Sequence, residues 1–188
     1  MITIRNAMLE DVERLLEIYD YYVKNTAITF EYETPSVEEF KERMKKTMKR
    51  YPYLVILRDG RIEGYAYAGP FVGRAAYDWS CEITVYLDHD AQKCGMGRKI
   101  YEALEKALHD MGILNLYACI GYPEKNDEHL TTNSADFHEH LGFTKVGGFH
   151  KCGYKFNKWY NMIWMEKIIG EHQKMQNPIT NYRNVIVV

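Results

Sequence analysis

Two runs of residues carry recognisable chemistry: Glu82-Ile83-Thr84-Val85-Tyr86-Leu87, and Gln92-Lys93-Cys94-Gly95-Met96-Gly97-Arg98 shortly after it. The first reads as a β-strand. The second is a glycine-bearing turn that opens a helix, whose apolar positions are Ile100, Leu104, Ala107, Leu108 and Met111. A helix N-terminus presents unpaired backbone N–H groups and roughly half a positive charge, so it attracts phosphate. Gly95 and Gly97 remove the side chains that would hold a pyrophosphate away from those N–H groups. Lys93 and Arg98 can add charge or simply be solvated. The order strand, Q-x-x-G-x-G, helix therefore describes a site for a phosphate-bearing ligand.

Other chemistry is weaker. Cys81, Cys94, Cys119 and Cys152 are widely spaced with no C-x-x-C pair, which reads as free thiols. No metal site is expected, because the ligand spacing is missing. His138-Glu139-His140 is no zinc helix motif, since positions i and i+2 point to different sides of a helix.

The elements that must position the motif can be read outward from it. Ile2 and Ile4 open a short strand. Glu10 to Lys24 has helical spacing at Val12, Leu15, Leu16, Ile18, Tyr19 and Tyr22. Thr26 to Pro35 is irregular, and Ser36 with Glu39 forms a capping box for a helix reaching about Arg50. Tyr53–Arg58 and Ile62–Ala68 make a hairpin through Asp59-Gly60. Tyr77 to Leu87 is expected as one long strand, and Gly95 to Met111 as a helix stopped by Gly112. Leu116–Ile120 is a buried strand. Tyr122–Leu130 is a polar excursion, and Asn133–Leu141 a short helix before Gly142. Phe143–His150 and Cys152–Glu166 supply further strands, with bends at Gly147-Gly148 and Gly153. The mixture gives an α/β or α+β domain around a mixed sheet. Residues 1–169 are expected as one domain, with 170–188 a tail whose end, Val185–Val188, is left open between an edge strand, a strand given to a partner and disorder.

Composition bounds the reading. With 188 residues, 46% hydrophobic and 27% charged, the chain can bury a core as a soluble globular protein. A net charge of −2 gives no general reason to bind nucleic acid or an anionic membrane. The apolar runs are far short of the roughly 20 residues that span a bilayer. Met1-Ile2-Thr3-Ile4-Arg5 lacks a signal-peptide layout, so the expected location is cytoplasmic.

With motif and element order in hand, the chain resembles the GNAT N-acetyltransferases, and more narrowly the phosphinothricin/methionine sulfoximine N-acetyltransferase group, over about residues 2–168. Four segments carry the resemblance: Thr29-Phe30-Glu31 with Pro35; Ala76-Tyr77-Asp78-Trp79 through Glu82 to Tyr86; His138 through Phe143; and Gly153-Tyr154-Lys155-Phe156 through Trp159. It implies a GNAT-like, largely antiparallel central sheet flanked by helices, with two strands splayed at an acetyl-CoA site. It also implies acetyl-CoA as co-substrate, direct transfer to a small amino acid or analogue in a ternary complex, and a homodimer, for which Trp159, Tyr160 and Trp164 offer aromatic surface or core.

The roles follow residue by residue. Glu82 matches the strand glutamate that helps the amine lose a proton, directly or through water, and a buried carboxylate can have the raised pKa this needs. His138 matches a His that donates a proton to the leaving thiolate or orients the amine. Backbone at Val85, Tyr86 and Leu87 would meet the pantetheine arm, and Gln92, Lys93, Cys94, Gly95, Met96, Gly97 and Arg98 the pyrophosphate. Arg74 matches a basic residue near a substrate carboxylate, with Phe30 and Tyr77 as pocket walls. Two departures stand out: Thr131 occupies the position of a cofactor-contacting Asn, leaving Asn133 as the substitute, and Asn161 replaces an Asp. Acetylation of peptide or protein amines, and a CoA-binding sensor without chemistry, are the alternatives.

Overall fold

The structure is a computed structural model and describes residues 1–91 and 95–182. Gln92, Lys93, Cys94 and Val185–Val188 lie outside the described residues. The chain divides into two compact units. The first holds Met1–Ile18, Pro35–Leu116 and the described part of Ile168–Val188; the second holds Tyr19–Thr34 and Tyr117–Lys167. The mixed α/β character and the mainly antiparallel strand pairing agree with the sequence.

In the first unit, β1 (Ile2–Asn6), β2 (Tyr53–Arg58), β3 (Arg61–Pro70) and β4 (Ser80–Leu87) pair in that order, each antiparallel to the next. The β2–β3 hairpin closes through Asp59 and Gly60 at φ 50° and 86°, two left-handed residues whose twist matches that of the strands. Helix α2 (Val37–Met48) starts where expected, with the Ser36 hydroxyl accepting the Glu39 backbone N–H at 3.1 Å. On one sheet face Leu54, Ile56, Ala66 and Ala68 are fully buried. The opposite face stacks tyrosines: Tyr53 on Tyr67 with centroids 4.8 Å apart, and Tyr65 beside Tyr86 at 5.6 Å. Phe40 of α2 meets Tyr65 edge-on, closing that face. Helix α3 (Met96–Asp110) buries Ile100, Tyr101, Leu104, Ala107 and Leu108, and Gly112 at φ 88° stops it.

The link from β4 to α3 is held by Asp88, which is buried. Its carboxylate accepts from Arg14 on α1 (Val12–Asn25), from Arg61 at 3.4 Å and from the Asp90 backbone N–H at 3.0 Å. Its own N–H donates to the Glu63 carbonyl at 2.7 Å. The segment 170–182 has no regular structure but is pinned at several points. The Trp79 indole N–H donates to the Asn177 carbonyl at 2.8 Å, and the Tyr182 hydroxyl to Asn6 Oδ1 at 2.7 Å.

In the second unit the strand order is β5 (Asn115–Tyr122), β7 (Lys158–Ile168), β6 (Thr144–Lys155), with α4 (Asn133–His140) preceding β6 in the chain. Two expectations are corrected here. The strand expected to begin at Tyr77 begins at Ser80, because β3 ends at Pro70 opposite Cys81 and offers no ladder partner beyond it. Ala75–Tyr77 instead makes a 3-10 turn, with the Tyr77 N–H on the Arg74 carbonyl at 2.9 Å. The last two strands also divide differently. The hairpin turn is Phe156-Asn157 at φ 51° and 58°, rather than any glycine bend, and the Phe156 ring stacks on His129 at 3.8 Å. Gly147, Lys151 and Gly153 mark register shifts within β6.

Asp88 supplies a stability test with a definite sign. Burial works to raise its pKa, but the Asp90 N–H and the Arg14 guanidinium outweigh burial and hold the carboxyl below the usual range. Its contribution is therefore present above the unfolded value near 3.9 and lost as pH falls through the folded value. Asp88→Ala should cost about 3 kcal/mol at neutral pH, as breaking a buried ion pair does. Urea melts should show that cost shrinking in acid, and an equal loss at every pH would rule the ion pair out as its source.

Candidate active site

Alternation along β4 sends Cys81 and Ile83 into the core and Glu82, Thr84 and Tyr86 to the tyrosine-bearing face. Glu82 pairs directly with Gly69 on β3, so their side-chain positions share that face. A Cβ added at Gly69 would meet no atom within 4 Å. Glu82 is thus half-buried on a sheet yet borders open space. Burial alone pushes its carboxyl above the ordinary range, toward what a base acting near neutral pH requires. The neighbouring Cys81 thiol is pushed up much further by burial, so it is not a thiolate nucleophile.

Further along the chain from β4, Gly95 adopts φ 76° as the N-cap of α3 and, being glycine, brings no side chain to cap the first N–H groups. Only glycine takes that conformation without strain. Met96 and Gly97 are buried, whereas Gly95 and Arg98 on either side of them are exposed. An uncapped helix start of this kind fits an anion such as a pyrophosphate. Val85, Tyr86 and Leu87 pair on one edge with Ala66, Tyr65 and Gly64. Arg74 and Tyr77 lie in the turn before β4; Arg74 is exposed, and the Tyr77 ring rests edge-on against Phe71 at 5.9 Å.

Phe30, Asn133 and His138 belong to the second unit. His138 is buried on α4, its Nδ1 2.7 Å from the Ser134 carbonyl. A carbonyl can only accept, so Nδ1 carries the proton and Nε2 presents a lone pair. Burial holds the imidazole below its ordinary pKa of 6.5, only partly offset by that hydrogen bond. Asn133 is exposed at the first position of α4, its N–H on the Thr131 hydroxyl at 3.4 Å. Phe30 packs on a small core of Ala27, Leu130 and Tyr160. Asn161, the departure noted in the sequence, has a local structural role. Its Oδ1 accepts the Lys151 N–H at 2.8 Å where Lys151 adopts φ 49°.

Two charged residues have structural roles that the sequence reading did not assign. Asp127 gathers Lys158, the Tyr160 hydroxyl and the N–H groups of His129 and Leu130. Burial opposes ionisation there, but those donors bring its pKa down to about 2. Lys155, which looks like an ordinary strand lysine, is almost wholly buried. Among the described residues, Asp88, His89 and Asp90 bring possible metal-ligand atoms within 4.8 Å of one another. Asp88 is already committed to two arginines.

The acetyltransferase (GNAT) domain family matches residues 4–164. The phosphinothricin N-acetyltransferase of Streptomyces viridochromogenes is 34% identical over 166 residues, covering 88% of this chain and 87% of the relative. The L-methionine sulfoximine/L-methionine sulfone acetyltransferase of Salmonella typhimurium is 28% identical over 171 residues, covering 90% and 96%. The crystal structure of a GNAT superfamily phosphinothricin acetyltransferase from Sinorhizobium meliloti in complex with AcCoA superposes with a TM-score of 0.84 at 29% identity, covering 97% of this chain and 99% of that one.

The His138 environment sets a titration. Because the folded value lies below 6.5, the unfolded chain binds more protons in the window between the two, and stability rises with pH across it. NMR of the imidazole should show a midpoint below 6.5 and the Nδ1-protonated tautomer. A midpoint at or above that value would contradict the buried, neutral ring.

Proposed function

We propose for this chain, which belongs to the acetyltransferase (GNAT) family, the transfer of acetyl from acetyl-CoA to the primary amine of a small amino acid or amino-acid analogue. The enzyme class, N-acetyltransferase, follows from the family and from relatives whose names carry that activity. The acceptor class rests on those relatives too: phosphinothricin and methionine sulfoximine are both small α-amino acid analogues. The observation that carries the reading is Glu82, a carboxyl with a raised pKa beside open space on a rigid strand.

Acetyl-CoA supplies an activated acetyl thioester. The residues supply the rest. The amine arrives as an ammonium, and Glu82 takes its proton, directly or through water, so that nitrogen gains a lone pair. His138, neutral and protonated at Nδ1, is suited to accept a hydrogen bond at Nε2 and orient the amine. The nitrogen bonds to the thioester carbonyl carbon, the C–S bond breaks, and CoA leaves as a thiolate that takes, through water, the second proton the nitrogen sheds. Delivery by His138 would need an imidazolium, so its role is orientation.

In this reading the uncapped start of α3, from Gly95 through Arg98, holds the pyrophosphate, together with Gln92, Lys93 and Cys94 as the motif implies. Backbone of Val85–Leu87 meets the pantetheine arm, and Asn133 takes the role Thr131 lacks the amide for. Arg74 meets the acceptor's carboxylate, whose two oxygens match a guanidinium fork. Phe30 and Tyr77 wall the amine pocket. A homodimer is part of the proposal, supported by apolar side chains exposed on β6 and β7: Val146, Phe149, Tyr154 and Trp159. A cytoplasmic location is supported by the free thiols Cys81 and Cys152, which suit a reducing compartment.

Thiol release from acetyl-CoA should be seen with at least one of methionine sulfoximine, phosphinothricin or a common amino acid, in preference to polyamines and short peptides. Glu82→Gln should lower kcat by about 10²–10³ while leaving acetyl-CoA binding intact. The acid limb of the wild-type pH–rate profile, where Glu82 becomes protonated, should disappear in that variant. Preferential acetylation of peptides would move the acceptor class, and full activity in Glu82→Gln would remove the base.

A further inference from the structure

A buried ammonium with no part in the reaction above lies in the second unit. Lys155, at the end of β6, is 3% exposed, and its Nζ donates to the Thr29 carbonyl at 2.9 Å. Three further contacts bind the same loop. The Thr29 hydroxyl shares a 2.9 Å hydrogen bond with the Tyr19 hydroxyl, and the Tyr32 hydroxyl donates to the Tyr154 carbonyl at 2.5 Å. Between them the Phe30 ring lies on Gly153. A Cβ there would come within 2.5 Å of Cζ and 2.7 Å of Cδ2, closer than atoms can approach. Gly153 is therefore small to admit the ring, since nothing in its φ demands glycine.

We propose that Lys155 and Gly153 form a staple that sets the position of Phe30, so that Lys155 is a positioning residue and Gly153 a specificity-determining one for the amine acceptor. The inference rests on the reading of Phe30 as an acceptor-pocket wall. Stability does not account for the lysine. A buried charge replaced by an apolar side chain of similar volume often leaves stability unchanged or raises it. What the ammonium provides is a fixed reach from β6 to one carbonyl, with the Phe156 ring 5.2 Å away on its flank. Burial lowers the Lys155 pKa, and the nearby Glu31 carboxylate acts against that. Gly153 sets how deep the ring sits. A methyl there must push Phe30 off the Ala27–Leu130–Tyr160 core.

The test compares wild type, Lys155→Met, Gly153→Ala and the double variant Gly153→Ala with Phe30→Leu, using the best amine of the panel above and a smaller one. The amine KM should rise about tenfold or more in each single variant, with the acetyl-CoA KM unchanged and Tm not lowered in Lys155→Met. The smaller amine should suffer less in Gly153→Ala, and Phe30→Leu should restore the larger one. An unchanged amine KM in both single variants would overturn the staple, as would a parallel rise in both KM values with a lowered Tm. Were the wild type silent on every amine, the acetyltransfer reading would fall instead. The staple would then still be read from amide exchange over Thr29–Tyr32, faster in Lys155→Met if it exists and unchanged if it does not.

Discussion

The register between β3 and β4 is the constraint on which the first unit's chemistry depends. Side chains alternate with a period of two along a strand, so a slip of one residue would turn Glu82 into the core and Ile83 out of it. The observed pairing sets Glu82 against Gly69, Tyr86 against Tyr65 and Leu87 against Gly64. Glycine in the first position leaves space beside the carboxylate. Glycine in the last lets the end of β4 come close, where a Cβ would lie 2.8 Å from the Tyr86 carbonyl oxygen. Between these points the Tyr65 and Tyr86 rings meet across the two strands at 5.6 Å, a cross-strand aromatic contact that favours this register.

The second unit solves a different problem. Much of it is irregular chain, and irregular chain must find partners for its backbone outside any ladder. Charged side chains do that work at two points. Asp127 collects two backbone N–H groups and two side-chain donors, and the Tyr160 hydroxyl beside it is pushed up to about 12 by burial and that carboxylate. Lys155 serves a carbonyl in the same way. These polar ties flank the apolar cluster of Ala27, Leu130, Tyr160 and Phe30.

One physical cause tunes both candidate catalytic groups. Desolvation disfavours charge, which lifts the Glu82 carboxyl and depresses the His138 imidazole. Each is thereby brought nearer to its uncharged form. The hydrogen bond from Nδ1 to the Ser134 carbonyl then selects the tautomer of the histidine. A helix terminus adds to the electrostatics: α3 begins at a left-handed glycine that brings no capping side chain of its own.

Features governed by a few consecutive residues were legible in the sequence. Asp59-Gly60 could be read as a hairpin because two left-handed residues suit no other element there, and Ser36 with Glu39 as a helix start because a hydroxyl satisfies a free N–H. Gly112 and Gly142, both at positive φ, end their helices for the same local reason, and Gly95 opens α3 where the sequence placed its start. Tyr77 was misjudged because a strand exists only where a neighbour pairs with it, and that neighbour's end at Pro70 is a tertiary fact. Phe156-Asn157 lacks the glycine that marks such turns; its ring stacks on His129, a residue distant in sequence. Arg14 reaches Asp88 across 74 positions and Lys155 reaches Thr29 across 126, and no local pattern encodes such a meeting. Propensity and turn chemistry act over a few bonds and belong to the sequence itself. The burial that shifts a pKa or holds a loop in place comes from segments far apart in the chain, and only the tertiary structure decides it.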